Sequence, residues 1–183
     1  MEFCIKEKET SDNSTTYGIE STDSVIGEVT LTHTDTIKVV GDFGGLTRFK
    51  LEDTTGIVNK GKTFNTYKVN INTKLGIIYQ VEEGKLFLKQ RYYQLHYNNM
   101  EYNAYGLNLD NMKKIAIYAG KNQIAIIDFD TDSSYTIRVK YDNHAIIAII
   151  FVCYREVTKF ECLQKNTDIT FNKKPKFDYI NTF

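Results

Sequence analysis

The chain has no tryptophan, a single proline (Pro175), three histidines and three cysteines among its 183 residues, and no excess charge of either sign. Each scarcity excludes something. With 23 basic against 23 acidic side chains, there is no global electrostatic footprint for a polyanion, and nucleic acid is not expected as a partner. Cys4, Cys153 and Cys162 form an odd set without a C-x-x-C pair, and no charged n-region followed by an apolar h-region opens the chain. Both features point to reduced thiols and a cytoplasmic protein. Without a secretion signal, the glycosylation triplet Asn13-Ser14-Thr15 has nothing to act on it. His33, His96 and His144 lie outside H-x-x-H and H-E-x-x-H spacing, with no cysteine at ligand distance, so structural roles are expected of them. The long apolar run at residues 145–154 falls short of the roughly 20 residues that span a bilayer. No transmembrane segment is expected.

What is present is close to a globular average, with 42% hydrophobic and 25% charged residues. The length suits one domain that buries a sizeable core. Abundant Ile, Lys, Asn and Tyr suggest an AT-rich coding genome, as in low-GC bacteria. Phe3 and Ile5 alternate with polar neighbours over residues 1–9, predicting a first strand. Residues 10–24 are rich in Ser, Thr, Asp and Asn and predict a loop. Short β-type runs follow at 36–40, 46–51 and 66–71, separated by glycines at 41–45 and by Asn59-Lys60-Gly61-Lys62. Leu75, Ile77, Tyr79 and Val81 then alternate, with Leu86 and Leu88 beyond Glu83-Gly84, which reads as a hairpin. Two more hairpins are predicted, 92–97 with 100–105 across Asn98-Asn99, and 114–119 with 122–128 across Gly120-Lys121. Tyr135, Ile137, Val139 and Tyr141 face one way, and Thr136, Arg138 and Lys140 the other, as in a half-buried strand.

Residues 145–154 show no polar position at either period, so every face must be buried. A doubly buried strand needs helices covering both faces of its sheet, and no other amphipathic helix is evident. A helix at about 144–155 is therefore predicted, with Asp142 and Asn143 available as N-cap and Arg155 near the negative end of the dipole. One helix that must be buried all round, among many half-buried strands, is satisfied by a sheet closed around it, which also removes exposed edges. The expected fold is mostly β: an antiparallel closed barrel of about 10–12 strands around one central hydrophobic helix. The barrel is assigned to residues 1–157, and residues 158–183 to a C-terminal extension, folded back or flexible.

On the segment Asn122-Gln-Ile-Ala-Ile-Ile-Asp128, the strand Ser134-Tyr-Thr-Ile-Arg-Val-Lys-Tyr-Asp142 and the apolar run after it, the chain resembles the tubby C-terminal and LURP-one-related, phospholipid scramblase-like group. The composition suits a bacterial member. The resemblance implies about a dozen strands around a hydrophobic helix. It also implies binding of phosphoinositide head groups through clustered basic residues, as in tubby domains, or association with membranes, as in scramblase-like members.

Candidate sites are few. Asp128, Asp130 and Asp132 resemble the opening of a calcium loop, but Ser133 replaces the turn glycine and Val139 the closing Glu. An acidic turn is the favoured reading. Gly41-Asp-Phe-Gly-Gly45 matches no phosphate-binding motif and reads as a tight turn. No G-x-S-x-G elbow exists, and Cys153 would lie in the core as an inert thiol. No catalytic residue and no cofactor is therefore expected. The tyrosines between Tyr92 and Tyr105 are strand formers whose rings fill the core or reach the rim. Lys173, Lys174 and Lys176 alternate with aromatics in the tail and are the candidate contacts with an anionic surface. These readings converge on a non-catalytic binding domain that associates with an anionic lipid surface or a protein partner. The alternatives are a carrier barrel for a small ligand, or an enzyme whose groups converge from distant strands.

Overall fold

The computed structural model describes residues 1–22, 24–34, 37–54, 66–83, 90–109, 112–131 and 134–165. Twelve strands run β1 Glu2–Ser11, β2 Ser14–Ser21, β3 Ser24–His33, β4 Ile37–Phe43, β5 Thr47–Asp53, β6 Tyr67–Ile71, β7 Lys74–Glu83, β8 Gln90–Tyr97, β9 Met100–Leu109, β10 Met112–Ala119, β11 Asn122–Thr131 and β12 Ser134–Val139. Each pairs antiparallel with the next, and β12 returns to β1 through Phe3↔Ile137 and Ile5↔Tyr135, closing the barrel. A 3-10 turn, Asp142–His144, leads into one helix, α1, Ala145–Lys165.

Alternation sets the barrel wall. Phe3, Ile5, Tyr17, Ile19, Val29, Leu31, Phe49, Leu51, Tyr67, Val69, Ile137 and Val139 point inward and belong to one core with Ala145, Ala148, Ile149, Phe151, Val152, Tyr154 and Val157 of α1. Tyr154 meets Tyr67 of β6 and Tyr93 of β8 edge-on, at ring-centroid distances of 5.9 and 4.9 Å. Those two strands lie on one side of the wall, and the core residues contributed by the other strands enclose the helix from the remaining sides. Each large apolar side chain buried in this way contributes about 1.5–3 kcal/mol.

The structure corrects the sequence reading at several points. Residues 10–24 are largely strand, because Thr15, Tyr17 and Ile19 are buried at alternate positions. Polar β-branched threonine suits a pleated surface as well as an apolar residue does. Strand β3 occupies a stretch where none was assigned. The helix runs past the predicted end at residue 155. At about 1.5 Å per residue the ten-residue apolar run spans about 15 Å, and burial continues beyond it through Val157 and Thr158. Arg155 is consequently mid-helix. The turn before α1 has no side-chain cap, and its backbone closes through His144 N–H to the Tyr141 carbonyl at 2.9 Å. Leu86, Leu88 and the turn at 59–62 lie outside the described residues, as does residue 166 onward. Among the described residues no helix is long and apolar enough to cross a membrane.

Candidate functional site

Of the sequence-predicted residues, Asp128 stands on the outer face of β11. Its Oδ1 lies 3.1 Å from Lys114 Nζ and its Oδ2 accepts from Arg138. Both carboxylate oxygens are therefore engaged by cationic side chains from the flanking strands. The Asp130 side chain and Asp132 lie outside the described residues, and so do Lys173, Lys174 and Lys176. Among the described residues no three His, Cys, Asp or Glu side chains gather as a metal site. His33 and His144 are held below the usual imidazole range by burial, His144 further by Lys140. Cys153 is buried in the core, where desolvation and then the Glu156 charge push its thiol far up.

The tyrosines divide between the two faces. Tyr93 points inward, whereas Tyr92 and Tyr105 meet on the outside at 5.2 Å and Tyr105 meets Tyr118 at 5.8 Å. Each is the partner of the next across a strand pair or the diagonal neighbour of that partner, so the stacking follows from register.

Among the described residues, one buried charged group inside the barrel departs from the apolar pattern. Glu156 is only 8% exposed. It accepts from Tyr17 Oη at 2.9 Å, from Tyr135 Oη and from Arg155 NH1 at 3.2 Å. Arg155 also donates to Tyr135 Oη at 2.8 Å, and its guanidinium lies 4.2 Å from the Phe129 ring centroid. The adjoining void, lined by Ile5, Tyr17, Val29, Val152, Cys153 and Glu156 among others, measures about 10 Å³. That is at the lower bound for a single water, so this network fixes the helix and offers no space to a substrate.

Two features of the outer surface offer more. The first is an open groove of about 1000 Å³ over β6–β9, whose lining includes Leu75, Ile77 and Met100 together with Lys68, Lys74, His96 and Glu101. It arises because β7 presents its apolar alternation to the outside. Gly76 and Ile78 are buried, while Leu75 and Ile77 are exposed. The predicted alternation of Leu75, Ile77 and Tyr79 is real, but these three face away from the core. Register places Lys68, Ile77, His96 and Glu101 in one outer row across four strands. Beside it, Gln94 takes a hydrogen bond from Tyr79 Oη and gives one to Asn103 at 2.9 Å, and Asn103 gives one to Glu101 at 2.8 Å.

The second feature is the rim where α1 enters. Strands alternate in direction, so the connections after β2, β4, β6, β8, β10 and β12 all lie at that end. Leu46 at the β4–β5 turn is 88% exposed, and Val25, Leu75, Met100 and Tyr141 are between 48% and 59% exposed. Lys74, Lys121 and Lys140 stand exposed among them. Left-handed Gly44 and Gly45, and Asn98 and Asn99 at φ +53° and +60°, make the turns tight and place these neighbours at their tips. The sequence reading did not single out this rim; its signal was an apolar residue within two or three positions of nearly every turn. Comparison with protein families, curated proteins and solved structures finds no match for the chain.

Proposed function

We propose that the chain is a non-catalytic binding domain of the tubby-like class that docks peripherally on anionic membrane surfaces through the rim where the helix enters. The rim residues carry this reading. Val25, Leu46, Leu75, Met100 and Tyr141 are large apolar side chains held in water at one end of a rigid barrel, with Lys74, Lys121 and Lys140 between them. Inserted at the headgroup boundary, apolar area gains roughly 25 cal/mol per Å², and each lysine near an anionic leaflet adds about 1 kcal/mol. Neither contribution alone anchors a protein firmly, whereas the two together form the paired signal that stable association requires. The helix inside the barrel favours recognition at the surface over carriage of a small ligand in the interior.

Co-sedimentation of the full chain with neutral and with anionic vesicles, at low and at physiological salt, tests this. Binding is expected to anionic vesicles, weaker at higher salt, and to be lost when Leu46→Glu is combined with Tyr141→Glu. Loss on truncation after residue 165 with the rim intact would instead assign the contact to Lys173, Lys174 and Lys176. No sedimentation with any vesicle overturns the membrane reading.

A further inference from the structure

A closed barrel has no free strand edge, since every strand is hydrogen-bonded on both sides. A polypeptide cannot add to it as an extra strand, so the outer wall can hold one only through side-chain anchors. The wall over β6–β9 has the parts for that. Its floor is Leu75 and Ile77, consecutive outward positions of β7, with Met100 beside them. Both isoleucine–leucine positions could have been polar at no cost to the core, because the inward faces of β7 at this level are Gly76 and Ile78. The outward apolar pair is therefore unexplained by folding.

Charge is distributed unevenly around this floor. On the β8–β9 side the polar groups satisfy one another: Tyr79 Oη lies 2.9 Å from His96 Nε2, and Glu101 accepts from Asn103 and lies 4.0 Å from His96. On the β6 side Lys68 and Lys74 are exposed; Lys68 faces Glu52 across the β5–β6 pair and helps hold that carboxyl below its usual range, but the carboxylate itself is bonded by Lys50. An open groove of this kind leaves a drug-sized molecule too exposed to be held well, since such ligands are normally buried over most of their surface. An extended chain that sets bulky side chains on the floor and a carboxylate beside each lysine satisfies both halves of the groove.

From this geometry we propose that the groove over β6–β9 binds a short polypeptide segment of a protein partner, one that combines large apolar side chains with acidic residues. The apolar anchors supply affinity, and Lys68 and Lys74 set the orientation and select against basic segments. The groove shares Lys74, Leu75 and Met100 with the membrane-facing rim, whereas Lys68 and Ile77 lie back from the turn tips and Leu46 and Tyr141 are absent from its lining, so Lys68 and Ile77 distinguish this site from the membrane reading.

The test is a random-sequence short-peptide library screened against the full chain, followed by methyl and amide NMR mapping of recovered peptides. Recovered peptides are expected to be enriched in Asp or Glu next to Leu, Ile, Phe or Trp, and to shift the signals of Leu75, Ile77 and Met100. Ile77→Asp should weaken binding by about tenfold or more, while leaving vesicle sedimentation unchanged. Lys68→Glu should do the same and should raise affinity for peptides in which each acidic residue is replaced by Lys. Both variants alter exposed positions, so an unchanged thermal unfolding midpoint verifies the fold. Enrichment of basic peptides, recovered binders indifferent to Ile77→Asp, shifts confined to other surfaces, or no enrichment at all would overturn the proposal.

Discussion

At the scale of single residues, Glu156 shows how an all-apolar helix acquires one position in the barrel. A helix of alanine, isoleucine and phenylalanine can slide or rotate within an apolar lumen at little cost, because dispersion is nearly isotropic. The hydrogen bonds from Tyr17 on β2 and Tyr135 on β12 to one carboxylate are directional and exist in one register only. Burial, and after it the Glu156 charge, pushes both phenols far above the ordinary tyrosine value of 10.0. In the unfolded chain the same phenols ionise near that value, so above it the unfolded state holds fewer protons and stability falls as pH rises. Below pH 10 the contribution is complete. Alkaline titration should therefore show a first set of exposed tyrosines ionising non-cooperatively, and Tyr17 and Tyr135 ionising only with the loss of near-UV circular dichroism. In Tyr17→Phe the cooperative phenolate step should shrink; ionisation of all tyrosines before unfolding would refute the assignment. None of this was legible in the sequence. Arg155 and Glu156 follow directly on the apolar run, but nothing in a linear reading tells that two tyrosines from remote strands converge on the second of them.

At the scale of elements, hairpins were legible wherever the turn chemistry is strong. Asn98-Asn99 tolerates two left-handed positions and Gly120 a third, which is what a two-residue reversal between twisted strands demands. Strands β2 and β3 were not recovered, because their serines and threonines signal turn and strand equally, although the alternation of buried Val29 and Leu31 with Glu28, Thr30 and Thr32 was present in the sequence. Strand β7 shows a subtler failure. Its period of two was plain, yet period alone does not say which phase faces inward, and here a glycine takes a buried position while leucine and isoleucine take exposed ones. A Cβ at Gly76 would come within 2.6 Å of the His96 backbone carbonyl and 3.2 Å of Tyr97, so the inward position admits no side chain without moving the neighbouring strand. Gly76→Val is expected to destabilise by about 1–3 kcal/mol through overpacking, and Ile78→Ala by about 2–4 kcal/mol through a cavity. Ile77→Asp should stay within about 0.5 kcal/mol of the parent. Urea unfolding midpoints at constant slope measure all three, and a large loss for Ile77→Asp would mean that β7 has been assigned the wrong inner face.

At the scale of the whole molecule, barrel and helix require each other. The inference from sequence to a closed sheet rested on one fact, that a helix apolar on every side needs walls on every side, and the barrel meets that need with core residues drawn from strands all round it. The converse also holds: without α1 the inward rings of Tyr67, Tyr93 and Tyr135 would face a cavity lined by the most buried side chains of the wall. A sheet in that state would fill with water at the expense of its apolar lining or collapse and lose its pairing. The closing pair β1–β12 joins Phe3 to Ile137, so closure spans every strand of the barrel and its entropy cost is met only when the interior is filled. The other pairs join consecutive strands, so this one non-local pair is expected to form last, and all-β folding of this kind takes about milliseconds to seconds. Removal of residues 144–183 should therefore leave a chain with no cooperative thermal transition and no native near-UV spectrum. The full chain should refold with loss of water from the core and β1–β12 pairing in the same kinetic phase, followed by hydrogen exchange at Ile5 and Ile137 amides. A folded, cooperative fragment ending at residue 143 would show that the wall stands without its helix, and that α1 is an occupant of the barrel and not its core.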